Sequence, residues 1–422
     1  MSMILLLFAT FLIGVPICFS LGFVSLGGVL ASGFPPLIVV QRMFTGADSI
    51  ALIAIPLFML AGELMFQGGM SKRLVNFADT LLGHFPSGLA MVSILACMFF
   101  AAITGSAIAA TAAIGGIMIP LMKEKGYENT FSAPLLACGG SIGPIIPPSI
   151  PLLIYGVMAN VSVGKLFIGG FIPGILMGVG LMIYSYIVGK KRNYTGRDTR
   201  ASLKEILASA KDALLALLMP VIIIGGIMSG KFTATESGAI AVFYAMVVGI
   251  FVYKELKVKQ MFSVLVNCAK STGQVLIVVA FASLFTWIIT VNQIPQQISA
   301  YLSDSIHSKI VLLLVINVIL LIAGTFIDTT SALVIFAPLF IPLVQGFGVD
   351  LIHFGLIMAV NLTIGMCTPP LGVCLFVSGS IAKISLKQQM RDLLPMIAVL
   401  IVVLLIVTYF PQTVLFLPNL IG

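Results

Sequence analysis

Apolar residues along this chain occur in long blocks that short polar stretches separate. Blocks of about twenty apolar residues are long enough to cross a bilayer as helices. Two mixed stretches, 71–82 and 257–267, predict helices lying in the membrane interface, with plain loop as the alternative. The predicted spans are 3–30, 50–66, 166–188, 213–229, 237–253, 272–291 and 394–417.

Two further blocks, 88–122 and 310–344, are too long to be single spans. The first holds 35 residues without a charged side chain, and one helix of that length would measure roughly 50 Å. No polar loop divides it, although Thr104, Gly105 and Ser106 mark its middle. We therefore predict two hairpins that each enter and leave the membrane on one side; two short full crossings are the alternative.

Prolines interrupt two other apolar segments, 130–158 and 351–381. The first contains Gly-Ser-Ile-Gly-Pro-Ile-Ile-Pro-Pro-Ser at 140–149, and the second contains Thr-Pro-Pro at 368–370. Proline lacks a backbone N–H and clashes with the preceding turn, so a helix opens there. Open backbone at bilayer depth is tolerated only beside protein or a water-filled cavity. We therefore interpret both breaks as parts of a binding site for transport.

The two halves of the chain repeat each other at a constant separation of 222 residues. Interruptions at equivalent places in two halves are typical of secondary transporters built from repeats. The pairs are Pro120 with Pro342, Gly126 with Gly348, Ile142 with Ile364, Gly143 with Gly365, Pro147 and Pro148 with Pro369 and Pro370, Lys165 with Lys387, and Pro173 with Pro395.

These segments predict an all-α polytopic membrane protein made of inverted repeats, with two re-entrant hairpins and two broken helices. We assign 1–188 to the first repeat, 189–211 to a cytoplasmic linker, 212–230 to an extra span and 235–422 to the second repeat. Composition agrees, because 60% of residues are hydrophobic and 9% are charged. Basic residues that set the orientation of the chain in the membrane explain the net charge of +8. We therefore expect no nucleic-acid partner.

The basic residues predict how the chain is oriented. With the N-terminus in the cytoplasm and the C-terminus in the periplasm, nearly all of the 22 Lys and Arg residues fall on the cytoplasmic side. This distribution satisfies the positive-inside rule. The four exceptions are Arg42, Lys165, Lys231 and Lys309.

Asp328 is the single ionisable residue of the hairpins and broken helices away from their edges. A carboxylate inside a membrane is costly and is by default a functional hypothesis. The alternative is that it accepts hydrogen bonds from the N–H groups of its own hairpin tip. No Lys or Arg reaches the middle of these elements. An anion would therefore have to be bound by the N–H groups of half-helix N-termini, and a cation by free backbone carbonyls.

Hydroxyls, free carbonyls and one acid suit Na⁺, since hard cations take oxygen ligands. We predict one sodium site at each hairpin tip and its neighbouring break; for any single Ser or Thr, helix packing is the alternative. The first site comprises Thr104, Gly105, Ser106, Ser141 and Gly143, and the second comprises Gly324, Thr325, Asp328, Gly365, Met366 and Thr368. The residues predicted to face substrate are Ser106, Pro144, Thr329 and Thr330.

No constellation in the sequence indicates an enzyme. The three histidines are scattered, and the six cysteines lack metal-binding spacing. Glu63 lies near the end of its predicted span. Glu236 follows Thr233 and Thr235 as a first-turn acid at a helix start. Neither glutamate needs a role in transport.

Five motifs carry a resemblance to a known family. They are Ile55-Pro-Leu-Phe-Met-Leu-Ala-Gly62, Ile103-Thr-Gly-Ser106, Gly143-Pro-Ile-Ile-Pro-Pro148, Ser229-Gly-Lys-Phe-Thr-Ala-Thr-Glu236 with Tyr244 beyond it, and Thr368-Pro-Pro-Leu-Gly372. Over nearly its whole length, the chain resembles the large membrane subunit of tripartite ATP-independent periplasmic (TRAP) transporters. The resemblance implies a sodium-driven elevator in the bacterial inner membrane, whose hairpins and broken helices slide against a fixed scaffold.

The resemblance also implies two protein partners. A periplasmic substrate-binding protein would capture an organic acid, such as sialic acid or a dicarboxylate, and a small four-helix membrane subunit would enlarge the scaffold as a separate chain. A rival hypothesis is a self-sufficient sodium/dicarboxylate symporter of related fold. An ion channel or a membrane-embedded scaffold fits less well, because the sequence has no continuous polar helix face.

Overall fold

Helices make up most of the described part of the chain in its computed structural model. Residues 2–197, 199–298 and 306–421 are described, and they contain no β-strand. Nine helices within these ranges are long and apolar enough to cross a membrane. Large apolar side chains such as Phe19, Phe243 and Phe262 are exposed, which suits contact with lipid. The predicted all-α polytopic fold class is confirmed.

Each predicted hairpin is a pair of helices that meet at a short polar tip. Gly105 closes the first tip with a φ of +59°, a left-handed conformation that favours glycine. The arms and tips lie where the sequence predicted them; the membrane side on which each hairpin opens stays a prediction. The first hairpin consists of Gly88–Thr104 and Ala107–Glu124, and the second consists of Lys309–Phe326 and Thr329–Gly346.

Each broken helix consists of two helices separated by a turn at the prolines. Residues 131–150 are all buried, so protein surrounds the opened backbone of the first break, as a membrane requires. The Pro147–Pro148 and Pro369–Pro370 peptide bonds are both cis. The first broken helix has halves Asn129–Gly140 and Ile150–Ala159, and the second has halves Leu351–Gly365 and Val373–Ala382.

The helix boundaries repeat at the separation found in the sequence, and the repeats interlock. Ala107–Glu124 corresponds to Thr329–Gly346 with both ends in register. Ile150–Ala159 of the first half packs on Thr329–Gly346 of the second, and Val373–Ala382 of the second packs on Ala107–Glu124 of the first. This exchange joins the two hairpins and two broken helices into one unit, which we call the core block.

Other helices surround the core block. Met70–Leu82 forms where an interfacial helix was predicted, and its amphipathic sequence suits that place. A 3-10 turn at Ile50–Ile53 and a π turn at Val248–Val252 extend two of these helices. Their bounds are Ser2–Leu12, Ile17–Ala31, Leu37–Ala47, Ala54–Gln67, Met70–Leu82, Val163–Gly169, Phe171–Lys191, Leu203–Met228, Ala234–Val247, Val258–Val291, Leu386–Tyr409 and Gln412–Ile421.

The predicted span 3–30 is wrong as a single helix. The chain opens between Leu12 and Ile17, where Gly14 has a φ of +82° and Pro16 precedes the next helix. The two helices pack antiparallel, because a Cβ on Gly28 would lie 2.5 Å from Cε of Met3. The first block is therefore not one continuous crossing, and the cytoplasmic side of the N-terminus, which the distribution of Lys and Arg predicts, stays a prediction.

The predicted interfacial helix 257–267 is wrong as a separate element. Val258–Val291 is one continuous helix of 34 residues, about 50 Å in length, which we call the long helix. The exposed Lys259 and Lys270 do not end it, because charged side chains on one face stay in water while another face packs.

The predicted linker 189–211 is partly helical and docks on its neighbours. Leu203–Met228 begins inside it. The N–H of Arg197 donates to the carbonyl of Gly83 at 2.7 Å, and its guanidinium lies 3.6 Å from Asp79. Burial raises the pKa of the Asp79 carboxyl, and the nearby Arg197 opposes part of that rise. The segment is thus more ordered than its charge suggested.

Local capping and proline set two helix ends. The predicted last span 394–417 is wrong as one helix, because the chain breaks at Pro411 and a separate helix follows.

Glu236 has the structural role that was predicted for it. Its carboxylate accepts the N–H of Thr233 at 2.7 Å, and the Thr233 hydroxyl accepts the N–H of Glu236 at 3.2 Å, which forms a capping box.

Candidate functional site

The tip of the first hairpin lies against the break of the first broken helix. A Cβ on Gly105 would overlap the carbonyl oxygen of Pro148, and a Cβ on Gly143 would lie 3.0 Å from the carbonyl group of Ser106. Only glycine lets two backbones approach so closely. The structure therefore brings Gly105, Ser106 and Gly143 of the first predicted sodium site together.

The second tip meets the second break in the same way. A Cβ on Gly324 would lie 2.9 Å from the carbonyl oxygen of Leu362, and a Cβ on Gly365 would lie 2.5 Å from Cα of Gly324. The N–H of Gly372 donates to the carbonyl of Thr325 at 3.2 Å, which ties the tip to the far side of the break. Residues of the second predicted sodium site thus also converge.

Both tips and both breaks open onto one cavity of about 610 Å³, which we call the central cavity. Asp328 and Met366 contribute to its lining. The opposite wall includes Ser271 and Gln274 of the long helix, so the cavity lies between the core block and the surrounding helices. The four residues predicted to face substrate all line it, namely Ser106, Pro144, Thr329 and Thr330.

Three helices of the core block begin at the central cavity. Their first residues, Ala107, Ile150 and Thr329, all line it. The Ser106 hydroxyl accepts the N–H of Ala109 at 3.3 Å and keeps its own proton for another acceptor. Helix N-termini carry partial positive charge and unpaired N–H groups, so three of them at one cavity favour an anion there.

Asp328 both caps a helix and lines the central cavity. One carboxylate oxygen accepts the N–H of Ser331 at 3.1 Å, which is the hydrogen-bonding role weighed as the alternative for this residue. The second oxygen has no hydrogen bond within the described ranges, so it stays available to the cavity. The residues described here also contain no cluster of three His, Cys, Asp or Glu side chains that could hold a metal.

Four hydroxyls of the predicted sodium sites share one geometry. A hydroxyl that has donated its proton offers only lone pairs to a further partner, which is what a cation requires. The same bonds are common where Ser or Thr simply packs inside a helix. Each hydroxyl donates to a carbonyl one turn earlier: Thr104 to Phe100 at 3.3 Å, Ser141 to Cys138 at 2.8 Å, Thr325 to Ile322 at 2.8 Å and Thr368 to Ile364 at 2.7 Å.

Some predicted ligands already have partners. The carbonyl of Gly365 accepts the N–H of Thr368 at 2.9 Å, and that of Met366 accepts the N–H of Cys374 at 3.1 Å; each keeps a second lone pair. The Thr329 hydroxyl donates to the Met366 sulfur at 3.0 Å. Its proton is therefore not available to a substrate in this conformation.

Sequence reasoning missed polar residues that reach the cavities from outside the core block. Ser271 and Gln274 line the central cavity. A second cavity of about 370 Å³, which we call the Glu63 cavity, adjoins it and shares Ser106 and Ser271. The Glu63 carboxylate accepts a hydrogen bond from Gln67 at 3.2 Å. The available signal was polar side chains within apolar spans, which are costly unless they face a cavity or partner.

The fold and this cavity define a polytopic membrane transporter with a site at the meeting point of two repeats. The chain belongs to the family described as the tripartite ATP-independent periplasmic transporter, DctM component, whose family model matches residues 4–413.

Several relatives are named as TRAP permeases. The chain is 45% identical over 411 residues to the isethionate TRAP transporter permease protein DctMQ of Oleidesulfovibrio alaskensis, with 97% of this chain covered. It spans only 65% of that relative's length. It is 42% identical to the C4-dicarboxylate TRAP transporter large permease protein DctM of Pseudomonas aeruginosa, covering 90% of this chain and 89% of that one.

A third relative is the sialic acid TRAP transporter large permease protein SiaM of Vibrio cholerae, 40% identical over 96% of this chain and 95% of that one. Two solved structures share the fold. The MtrF structure from Neisseria gonorrhoeae aligns with a TM-score of 0.57 at 13% identity, over 88% of this chain and 82% of that one. The Alcanivorax borkumensis YdaH transporter aligns with a TM-score of 0.54 at 16% identity, over 91% and 86%.

Proposed function

We propose that the chain imports an organic anion across the bacterial inner membrane as the large permease subunit of a sodium-coupled TRAP transporter. The central cavity, where both hairpin tips and both helix breaks meet, is the observation that carries the proposal. The relatives are named for isethionate, C4-dicarboxylates and sialic acid. All three are anions at neutral pH, which agrees with the three helix N-termini at the cavity.

Anion binding in the central cavity would not need a basic side chain. No Lys or Arg of the described ranges lines it, so the N–H groups at the three helix starts would meet the negative charge. The hydroxyl of Ser106, and that of Thr330, which has no hydrogen bond within the described residues, can donate to the same anion. Gln274 adds an amide donor from the long helix.

The proposed coupling ion is Na⁺, held at each junction of hairpin tip and helix break. At the first junction Thr104 and Ser141 present hydroxyl lone pairs, and at the second Thr325 and Thr368 do so. Among the residues predicted for the two sodium sites, Asp328 alone would supply a full negative charge, and it lies at the second junction. An all-oxygen donor set with one carboxylate fits a monovalent hard cation better than a transition metal.

The proposed movement is an elevator, in which the core block slides along the long helix. The interlocked repeats would move as a unit. The long helix contributes the apolar side chains of Val275 and Val278 to the facing wall of the cavity, and this apolar surface would let the core block slide. A periplasmic binding protein would deliver the anion. A small four-helix membrane subunit would brace the helices that do not move.

Reconstituted transport tests this function. Proteoliposomes containing the chain and the small subunit of its own system should take up one anion among isethionate, succinate and N-acetylneuraminate when an inward sodium gradient and the binding protein are both present. Omitting either protein or replacing sodium with potassium should reduce uptake to background. Sodium-driven uptake by the chain alone would instead favour the self-sufficient symporter, and uptake without sodium would overturn the coupling.

Labelling tests the proposed orientation. Of the six cysteines, only Cys18 is not buried. In a Cys18→Ser background, labelling of a single new cysteine can therefore be measured without an exposed native cysteine. Lys204→Cys should react with a membrane-impermeant maleimide only after the cytoplasmic side is opened, because the basic linker is predicted to lie inside. Reaction from the periplasm of intact cells would reverse the orientation.

A further inference from the structure

Three cavities follow one another along one stripe of the long helix. The Glu63 cavity and the central cavity are followed by a third cavity of about 450 Å³, which we call the Arg42 cavity. The lining positions recur every three or four residues, so they share one face of the helix. One row of these positions, in order along the helix, is Asn267, Ser271, Gln274, Val278, Ala282, Thr286 and Thr290.

Close helix packing holds Arg42 at this third cavity. On the helix Leu37–Ala47, Gly46 lies so near the long helix that a Cβ there would overlap the side chain of Ser283. Arg42 is one turn before Gly46 and therefore shares its face. Its Cζ lies 5.0 Å from the centroid of the Trp287 ring, a cation–π distance that orients the guanidinium.

Arg42 has no carboxylate partner within the described ranges. A cation over an aromatic face keeps N–H groups free at its edge. The Thr286 hydroxyl in the same cavity is buried and has no hydrogen-bond partner among the residues that the structure describes. Among the described residues, no other Lys or Arg lines any of the three cavities. The Arg42 cavity therefore combines a positive charge without a carboxylate partner in the described ranges, a hydroxyl without a hydrogen-bond partner there, and room for a small organic acid.

We propose that the Arg42 cavity binds the carboxylate or sulfonate group of the transported anion before it reaches the central cavity. The proposal rests on the proposed function. The cavity lies toward the C-terminal end of the long helix, away from Lys257 and Lys259, and so on the predicted periplasmic side. Arg binds carboxylates through paired, charge-assisted N–H donors, and the Thr286 hydroxyl supplies a further donor.

Removing this charge should weaken capture of the anion without disturbing the sodium sites. In the complete reconstituted system, Arg42→Gln should raise the KM for whichever of isethionate, succinate or N-acetylneuraminate is transported by about tenfold or more, the scale of one charge-assisted bond. The sodium concentration for half-maximal uptake should stay unchanged. Lys231→Gln is the matched control, because it removes one exposed charge on the same predicted side, outside the three cavities.

Chemical rescue after folding separates recognition from misfolding. In the Cys18→Ser background, Arg42→Cys should show the raised KM. Aminoethyl methanethiosulfonate, which restores a positive charge at this position, should recover much of the loss, whereas methyl methanethiosulfonate, which adds no charge, should not.

Three results would overturn the proposal. A wild-type KM in Arg42→Gln, with normal sodium-driven uptake of the anion, would show that the cavity does not recognise it and would leave the proposed function intact. Equal rescue by both reagents would assign Arg42 a packing role. Failure of the wild-type system to move any of the three anions would instead reject the proposed function, and this proposal with it.

Discussion

Asp328→Asn is expected to weaken sodium-driven uptake strongly while leaving the protein folded. Asparagine caps helices about as well as aspartate, so the bond to the Ser331 N–H can persist. The substitution removes only the negative charge that lines the central cavity. If that charge helps to hold Na⁺, the sodium concentration for half-maximal uptake should rise tenfold or more, a factor equivalent to about 1.4 kcal/mol. Initial uptake rates measured against sodium concentration give the readout.

Asp350→Asn is the matched control for this change. Asp350 also caps a core-block helix, accepting the N–H groups of Ile352 at 2.8 Å and His353 at 3.0 Å, but it does not line the central cavity. Its variant should keep the wild-type sodium response. If Asp328→Asn also keeps that response, Asp328 is a helix cap alone and the second sodium site needs another ligand set. Asp328→Ala should in addition lower thermal stability, because it removes the cap.

The core of the fold could be predicted from sequence because the signals there are local and duplicated. Proline and glycine forbid a continuous helix wherever they cluster, and the 222-residue separation shows each interruption twice. The tips at Ser106 and Asp328 and the break at Pro144 were therefore identified correctly. The structure brings these residues to one cavity, which agrees with the interpretation of both helix breaks as parts of one binding site.

The outer helices were predicted less well because apolar length alone does not define their ends. A single Gly14 followed by Pro16 turns the first block back on itself, although its length suits one span. The long helix shows the opposite error, since the mixed stretch 257–267 predicted a separate interfacial helix, whereas it continues unbroken into the following span.

Residues that approach the site from elsewhere in the fold could not be found from a local pattern. Ser271 and Gln274 lie on the long helix, far in sequence from any break, and reach the central cavity only through tertiary packing. Arg42 was noted only as an exception to the charge distribution. Its contact with Trp287, which locates it at a cavity, depends on how two helices far apart in the chain pack.

The interlocked repeats imply that the glycines at the contacts between tips and breaks cannot tolerate added volume. Gly116→Ala tests this by contrast, because nothing lies within 4 Å of a Cβ there and alanine is the better helix former by about 0.5–1 kcal/mol. That variant should fold and transport like the wild type, or prove slightly more stable. It shares the core block with the contact glycines but has open space around it.

Gly365→Ala, in contrast, is expected to abolish transport and lower thermal stability. Its Cβ would lie 2.5 Å from Cα of Gly324, so two backbones rather than flexible side chains would have to separate. Overpacking typically costs about 1–3 kcal/mol, and the separation would open the second tip beside Asp328. Fluorescence-detected size exclusion after heating, together with sodium-driven uptake, measures both effects. Normal uptake at wild-type stability would mean that the second tip and break do not pack this closely, and would remove the geometric basis of the second sodium site.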